Sequence, residues 1–156
     1  DEGMQSLAEV IKKTTGKDIT NYPGAGAAGG MGGGLLAFFN AELKPGTELL
    51  LKAIDFSEKI KGADLIITGE GKADRQTAMG KVPYGILKEA QKEHIPVIVL
   101  AGSIENLPEL NKAGFKGIFS IAPGPITLEK AMEPEFAKEN ITRLVSQLYS
   151  VITSFG

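Results

Sequence analysis

Three short apolar runs in the second half of the chain, Leu65-Ile66-Ile67, Val97-Ile98-Val99-Leu100 and Ile118-Phe119-Ser120-Ile121, restrict its fold more than any other feature. Each meets a glycine or proline within two residues of its end. A strand that is wet on one face alternates apolar and polar residues; these runs do not, so they read as strands buried on both faces, as in a parallel sheet. The gap between the first two carries a helix from about Val82 to Glu93 with Ile86, Leu87 and Ala90 inward, and the second gap a shorter one over Leu107–Ala113. A long closing helix from Glu135 to Ser154 lines up Phe136, Ile141, Leu144, Val145, Leu148 and Ile152. The order β-α-β-α-β-α implies right-handed crossovers and a three-layer α/β/α unit with a short, Rossmann-like parallel sheet, assigned to residues 61–156.

Residues 1–60 have a different texture. Met4, Leu7, Ala8 and Ile11 recur at helical spacing, and the chain opens without methionine, as a piece beginning inside a helix would. Met31, Leu35, Leu36, Phe38 and Phe39 form a second apolar helix, and Pro45-Gly46 begins a third with Leu49, Leu50, Ala53 and Ile54. This segment is expected to be helical and to belong to, or link to, a second lobe. Seven of the chain's 20 glycines fall between Gly24 and Gly34, so the glycine excess is one local feature. Gly24, Gly26 and Gly29 match G-x-G-x-x-G, but a dinucleotide fingerprint needs a buried strand before it and an acidic residue about 20 positions later. Asn21-Tyr22-Pro23 precedes the block instead, and Glu42 sits between a helix and Pro45. Two readings stay open: a backbone cradle for an anion before the helix near Met31, formed by Gly24, Gly26, Gly29 and Gly30, or close packing and hinge motion.

Seventeen basic against nineteen acidic residues leave a net charge of −2, which gives no footprint for nucleic acid. No stretch approaches the roughly 18 apolar residues of a membrane span. The chain has no cysteine, which removes disulfides and thiolate chemistry and fits a cytoplasmic protein. Its one histidine, His94, lies in a polar helix-to-strand junction and reads as a surface residue.

Open α/β sheets bind ligands beyond the carboxyl ends of their strands, here Thr68 to Gln76, Ala101 to Asn106 and Ala122 to Thr127. The first of these is Thr68-Gly69-Glu70-Gly71-Lys72-Ala73-Asp74-Arg75-Gln76-Thr77, followed by Gly80-Lys81. Glycines flank Glu70 and let the backbone aim it into the crevice, and Thr77 is suited to cap the next helix. Two carboxylates, an amide and several cations are the parts of a phosphoryl-transfer site: carboxylates hold Mg²⁺ or take the proton of the attacking hydroxyl, and Lys and Arg offset phosphoryl charge. Gly80-Lys81-Val82 does not complete a Walker A motif, so this is no P-loop. The alternative is a solvated βα connection. Ser103 in the neighbouring loop could donate to a ligand, and Pro123-Gly124-Pro125 reads as a rigid turn.

Taken together, Pro23 to Gly32, Gly62 to Gly71, Asp74-Arg75-Gln76-Thr77 with Gly80-Lys81, and Phe119-Ser120-Ile121 with Pro123-Gly124-Pro125 resemble the bacterial glycerate kinase family that is unrelated to P-loop kinases. Members are longer, and the chain resembles their C-terminal portion. The resemblance implies a two-lobed enzyme that phosphorylates D-glycerate with ATP and Mg²⁺, with Thr68, Gly69, Glu70, Asp74 and Gln76 in the cleft. On this basis Asp74 is assigned as general base or metal-organising carboxylate, Glu70 as the second Mg²⁺ or substrate-orienting carboxylate, and Lys81 and Arg75 as partners of phosphate. Gly71, Thr77, Ser103 and the glycine block join the binding set. Gly33-Gly34 depart from the family pattern, in which small residues such as alanine are commoner. The chain by itself could also be an inactive ligand-binding or assembly fragment.

Overall fold

The computed structural model describes residues 2–154; Asp1, Phe155 and Gly156, which the two expected segments include, lie outside the described residues. The chain divides into two compact units, residues 1–45 and 46–156.

The first unit is helical. Helix α1 (Glu2–Thr15) and helix α2 (Ala27–Phe39) close over Ala8, Ile11, Ile19, Ala25 and Ala37, with Leu36 packed alongside. Ala28, Gly29 and Gly30 all take left-handed backbone angles, so regular helix starts near Met31. Lys17 closes the other end: its ammonium donates to the carbonyls of Ala37 (2.9 Å) and Leu36 (3.3 Å) and to Asn40 Oδ1 (2.6 Å). A cation there answers the negative end of α2, and left-handed Asn40 stops the helix.

The glycine block contains true packing positions. Gly32 and Gly33 are buried, and a Cβ on Gly32 would run into the Gly24 carbonyl and Leu43, whereas a Cβ on Gly34 would meet open space. Gly32→Ala is therefore expected to lower the unfolding free energy by about 1–3 kcal/mol, because backbone must move to admit it. Gly34→Ala is expected to be neutral or to stabilise by up to about 1 kcal/mol through helix propensity. Urea unfolding midpoints separate the two; equal midpoints for both variants would refute the packing role.

The second unit runs α3 (Gly46–Ala53), α4 (Phe56–Lys59), β1 (Ile66–Ala73), a 3₁₀ turn (Thr77–Met79), α5 (Val82–Lys92), β2 (Val97–Ile104), α6 (Leu107–Ala113), β3 (Gly117–Ser120), α7 (Leu128–Ala131) and α8 (Pro134–Thr153). All three strands are parallel in the order β1-β2-β3, with Ile66 opposite Val97 and Ile98 opposite Gly117. Val97, Val99 and Ala101 face the helices that connect the strands, where Leu87, Ala90, Leu110 and Phe115 complete the core. The mixed α/β architecture expected from the apolar runs is the one observed. No helix among the described residues is long and apolar enough to cross a membrane.

Three details differ from expectation. The boundary falls at Pro45–Gly46 rather than at residue 60, because Leu51 and Ile60 are buried and Phe56 packs on the core of the sheet. β1 and β2 run past the apolar runs to Ala73 and Ile104, so Thr68–Lys72 and Ser103 lie in strands, not loops. Along α8, Phe136, Leu144, Val145 and Leu148 are half-buried, but Ile141 and Ile152 are exposed; the buried position is Asn140, whose amide donates to the Phe136 carbonyl at 2.8 Å.

Candidate active site

The carboxyl half of β1 carries Glu70, and the chain then bends through Asp74 into the 3₁₀ turn. Asp74 rather than Thr77 caps that turn: its Oδ1 accepts from the backbone N–H of Gln76 (2.9 Å) and Thr77 (3.3 Å). Gly80, at φ 130°, ends the turn in a backbone conformation that L side chains rarely adopt. That bend brings Lys81, the residue before α5, back over the strand end.

There the three charged groups meet. The Lys81 ammonium lies 3.2 Å from Glu70 Oε1 and 3.4 Å from Asp74 Oδ1. The side chains of Glu70 and Asp74 are 16 % and 20 % exposed and that of Lys81 34 %, so the triad is sheltered yet reachable from solvent. Partial burial opposes ionisation of Asp74, but the N–H groups of Gln76 and Thr77 and the Lys81 ammonium outweigh it and hold the carboxyl below its ordinary value. The hydrogen bond to Glu70 leads a set of contacts that push the Lys81 ammonium up, against the opposing effect of desolvation. At neutral pH Asp74 and Lys81 are therefore ionised.

The remaining sequence-selected residues separate into groups. Thr68, Gly69, Glu70 and Gly71 line a cleft of about 480 Å³ with Ile67, Leu100, Ile121 and Ile141, a volume suited to a small ligand. Leu100, Ile121 and Ile141 were not singled out from the sequence as site residues, since an apolar wall looks like any core position until its neighbours are known. Thr77 is fully buried. Arg75 is exposed and pairs with no carboxylate among the described residues, while Gln76 contributes its backbone N–H to Asp74 and an exposed side chain. Ser103 sits beside Lys72 in the sheet register and is exposed; Lys72 itself pairs with Glu105 at 2.8 Å. His94 is exposed, left-handed at φ 57°, and ends α5, as its polar junction suggested.

In the first unit, Gly26 and Gly30 line a smaller hollow of about 190 Å³ whose other walls are chiefly Met4, Leu7, Ala8, Ile19 and Ala25. It holds no charged side chain. Several N–H groups of the glycine block are satisfied within it: Ala27 donates to the Gly24 carbonyl (3.0 Å), Gly30 to Gly26 (3.3 Å) and Gly33 to Ala25 (2.8 Å). No strand precedes Gly24 among the described residues, so the dinucleotide fingerprint lacks the element that gives it meaning.

A profile of the glycerate kinase family matches residues 1–153. The chain is 44 % identical over 134 residues to the glycerate kinase of Halalkalibacterium halodurans, covering 85 % of this chain and 35 % of that protein. It is 42 % identical over 144 residues to the glycerate 2-kinase of Escherichia coli K12, covering 92 % of this chain and 37 % of the relative. A crystal structure of a candidate glycerate kinase 2 from Salmonella typhimurium LT2 superposes with a TM-score of 0.69 at 33 % identity, over 99 % of this chain and 38 % of that one. The chain thus spans between a third and two fifths of the length of the relatives it matches. With the match running through β1, the Glu70–Asp74–Lys81 cluster and α8, the chain belongs to the glycerate kinase family.

Proposed function

We propose that the whole protein transfers the γ-phosphoryl group of ATP to a hydroxyl of D-glycerate, with Glu70, Asp74 and Lys81 in the reacting cleft. The observation that carries this reading is the convergence of two carboxylates and one ammonium at the carboxyl end of a parallel strand, in a chain of this family. Asp74 accepts the proton of the attacking hydroxyl as its oxygen forms the new bond to phosphorus and ADP departs. Lys81, with Arg75 nearby on the same loop, offsets the charge on the transferred phosphoryl oxygens. The name of the Escherichia coli relative favours the 2-hydroxyl and hence 2-phosphoglycerate as product.

The donor set also fits Mg²⁺. Glu70 and Asp74 already converge on one cation, and their oxygens are the hard ligands that Mg²⁺ prefers. No third His, Cys, Asp or Glu joins them among the described residues, which suits an ion that completes its shell with waters and substrate phosphates. When bound, the ion would supply charge neutralisation at the phosphates. The Gly24, Gly26, Gly29 and Gly30 backbone is a secondary proposal as an anion cradle, weakened by the internal hydrogen bonds of that block.

Incubating the whole protein with ATP and D-glycerate and resolving 2- from 3-phosphoglycerate by phosphorus NMR tests the assignment; absence of both products would overturn it. A second reading applies to these 156 residues alone, which span between a third and two fifths of their relatives: they bind ligand without turnover. Calorimetry with Mg·ATP and with D-glycerate distinguishes a self-sufficient site from an incomplete one.

A further inference from the structure

Thr77 was selected from the sequence as a residue that contacts ligand or caps a helix, yet it is fully buried, and its side chain is occupied elsewhere. A hydroxyl has one proton to donate and lone pairs to accept with. The Thr77 hydroxyl donates to Glu70 Oε2 at 3.1 Å, with the Lys72 carbonyl a longer second acceptor at 3.5 Å, and its oxygen accepts the backbone N–H of Asp74 at 3.1 Å. The Thr77 N–H meanwhile donates to Asp74 Oδ1 at 3.3 Å. One buried residue thus touches both carboxylates of the cluster, one through its side chain and the other through its backbone.

The oxygens are shared out accordingly. Thr77 holds Glu70 Oε2, leaving Oε1 to Lys81. Asp74 Oδ1 takes the N–H groups of Gln76 and Thr77 and the Lys81 ammonium, so Oδ2 is the oxygen with no protein partner among the described residues. Oδ2 is thus the oxygen of Asp74 left open to a further contact.

We propose that Thr77 is a positioning residue that locks Glu70 and Asp74 in one mutual geometry. The proposal rests on the kinase reading above. Thr77 touches no substrate; it acts through the two carboxylates, and a misplacement of about 1 Å in such a group costs on the order of 100-fold in rate.

The test is a set of variants in the whole protein, assayed with ATP and D-glycerate. Thr77→Val keeps the volume, removes the hydroxyl and is expected to lower kcat by about 10–100-fold with KM for both substrates changing far less. Thr77→Ser restores the hydroxyl and is expected to recover most of that loss. In a Glu70→Gln background the effect of Thr77→Val should shrink, because a residue acting through Glu70 has less left to position. If Thr77→Val does not fold, as judged by circular dichroism, Thr77→Cys takes its place in the same cycle. Equal kcat for Thr77→Val, Thr77→Ser and parent, or fully additive losses with Glu70→Gln, would overturn the proposal. A parent protein that forms no phosphoglycerate would instead overturn the kinase reading, so the two failures are distinct.

Discussion

Asp74→Asn in the whole protein is expected to lower kcat for D-glycerate phosphorylation by about 10²–10⁴-fold, the usual contribution of a positioned acid–base group. The variant is nearly isosteric, and its amide oxygen can still accept from the N–H groups of Gln76 and Thr77, so the 3₁₀ turn at Thr77–Met79 should survive. What is lost is the negative charge that pairs with Lys81 and the carboxylate that accepts the substrate proton in the proposed reaction. Initial rates of phosphoglycerate formation, beside a circular dichroism spectrum matching the parent, check this. Turnover near the parent rate would remove Asp74 from the role of base.

Lys81→Met should be comparably damaging for a different reason. It keeps the side-chain stem but removes the cation shared by Glu70 Oε1 and Asp74 Oδ1, and with it one source of positive charge for the phosphoryl group. A fall in kcat of about 10²–10³-fold is expected, as for loss of one electrostatic donor. Stability should change with a defined pH signature. The Lys81 ammonium is raised above 10.5 in the folded chain, so its contribution is complete below 10.5 and disappears as pH rises through the folded value. The Asp74 carboxyl is lowered below 3.8, so its contribution is present above 3.8 and disappears as pH falls through the folded value. The difference in thermal midpoint between parent and Lys81→Met should therefore be largest between those limits and shrink towards both. A difference that does not vary with pH would show that the variant acts through packing alone.

The charged cluster of the candidate site was legible in the residues. Glycines on both sides of Glu70, a second carboxylate at Asp74 and a Gly-Lys pair further on singled out this segment as a candidate site, and the structure puts Glu70, Asp74 and Lys81 within one small cluster. The extent of the strands was not legible. Thr68-Gly69-Glu70-Gly71-Lys72 has the composition of a loop, yet it pairs with β2 as far as Ala73 opposite Ile104. Backbone hydrogen bonds to a buried neighbour outweigh weak strand propensity, and the propensity is all that a local reading can weigh. The glycine block misled in a related way: G-x-G-x-x-G describes spacing, whereas the use of Gly32 depends on which carbonyl lies against it.

The sequence by itself determined the α/β architecture and pointed to a candidate site. Non-alternating apolar runs point to parallel strands with helical crossovers and a ligand cleft at the strand ends, although only β2 is buried along both faces; Ile67 in β1 is exposed and β3 is at most half-buried. Only the tertiary structure decided how the charges are arranged there. Thr77 lies seven residues from Glu70 along the chain, and nothing in the periodicity of either segment says that a strand end, a 3₁₀ turn and a left-turning glycine fold them together. Which oxygen is held and which is left free depends on angles and distances between elements, and those are set by the packing of the unit around its sheet rather than by any one residue's preference.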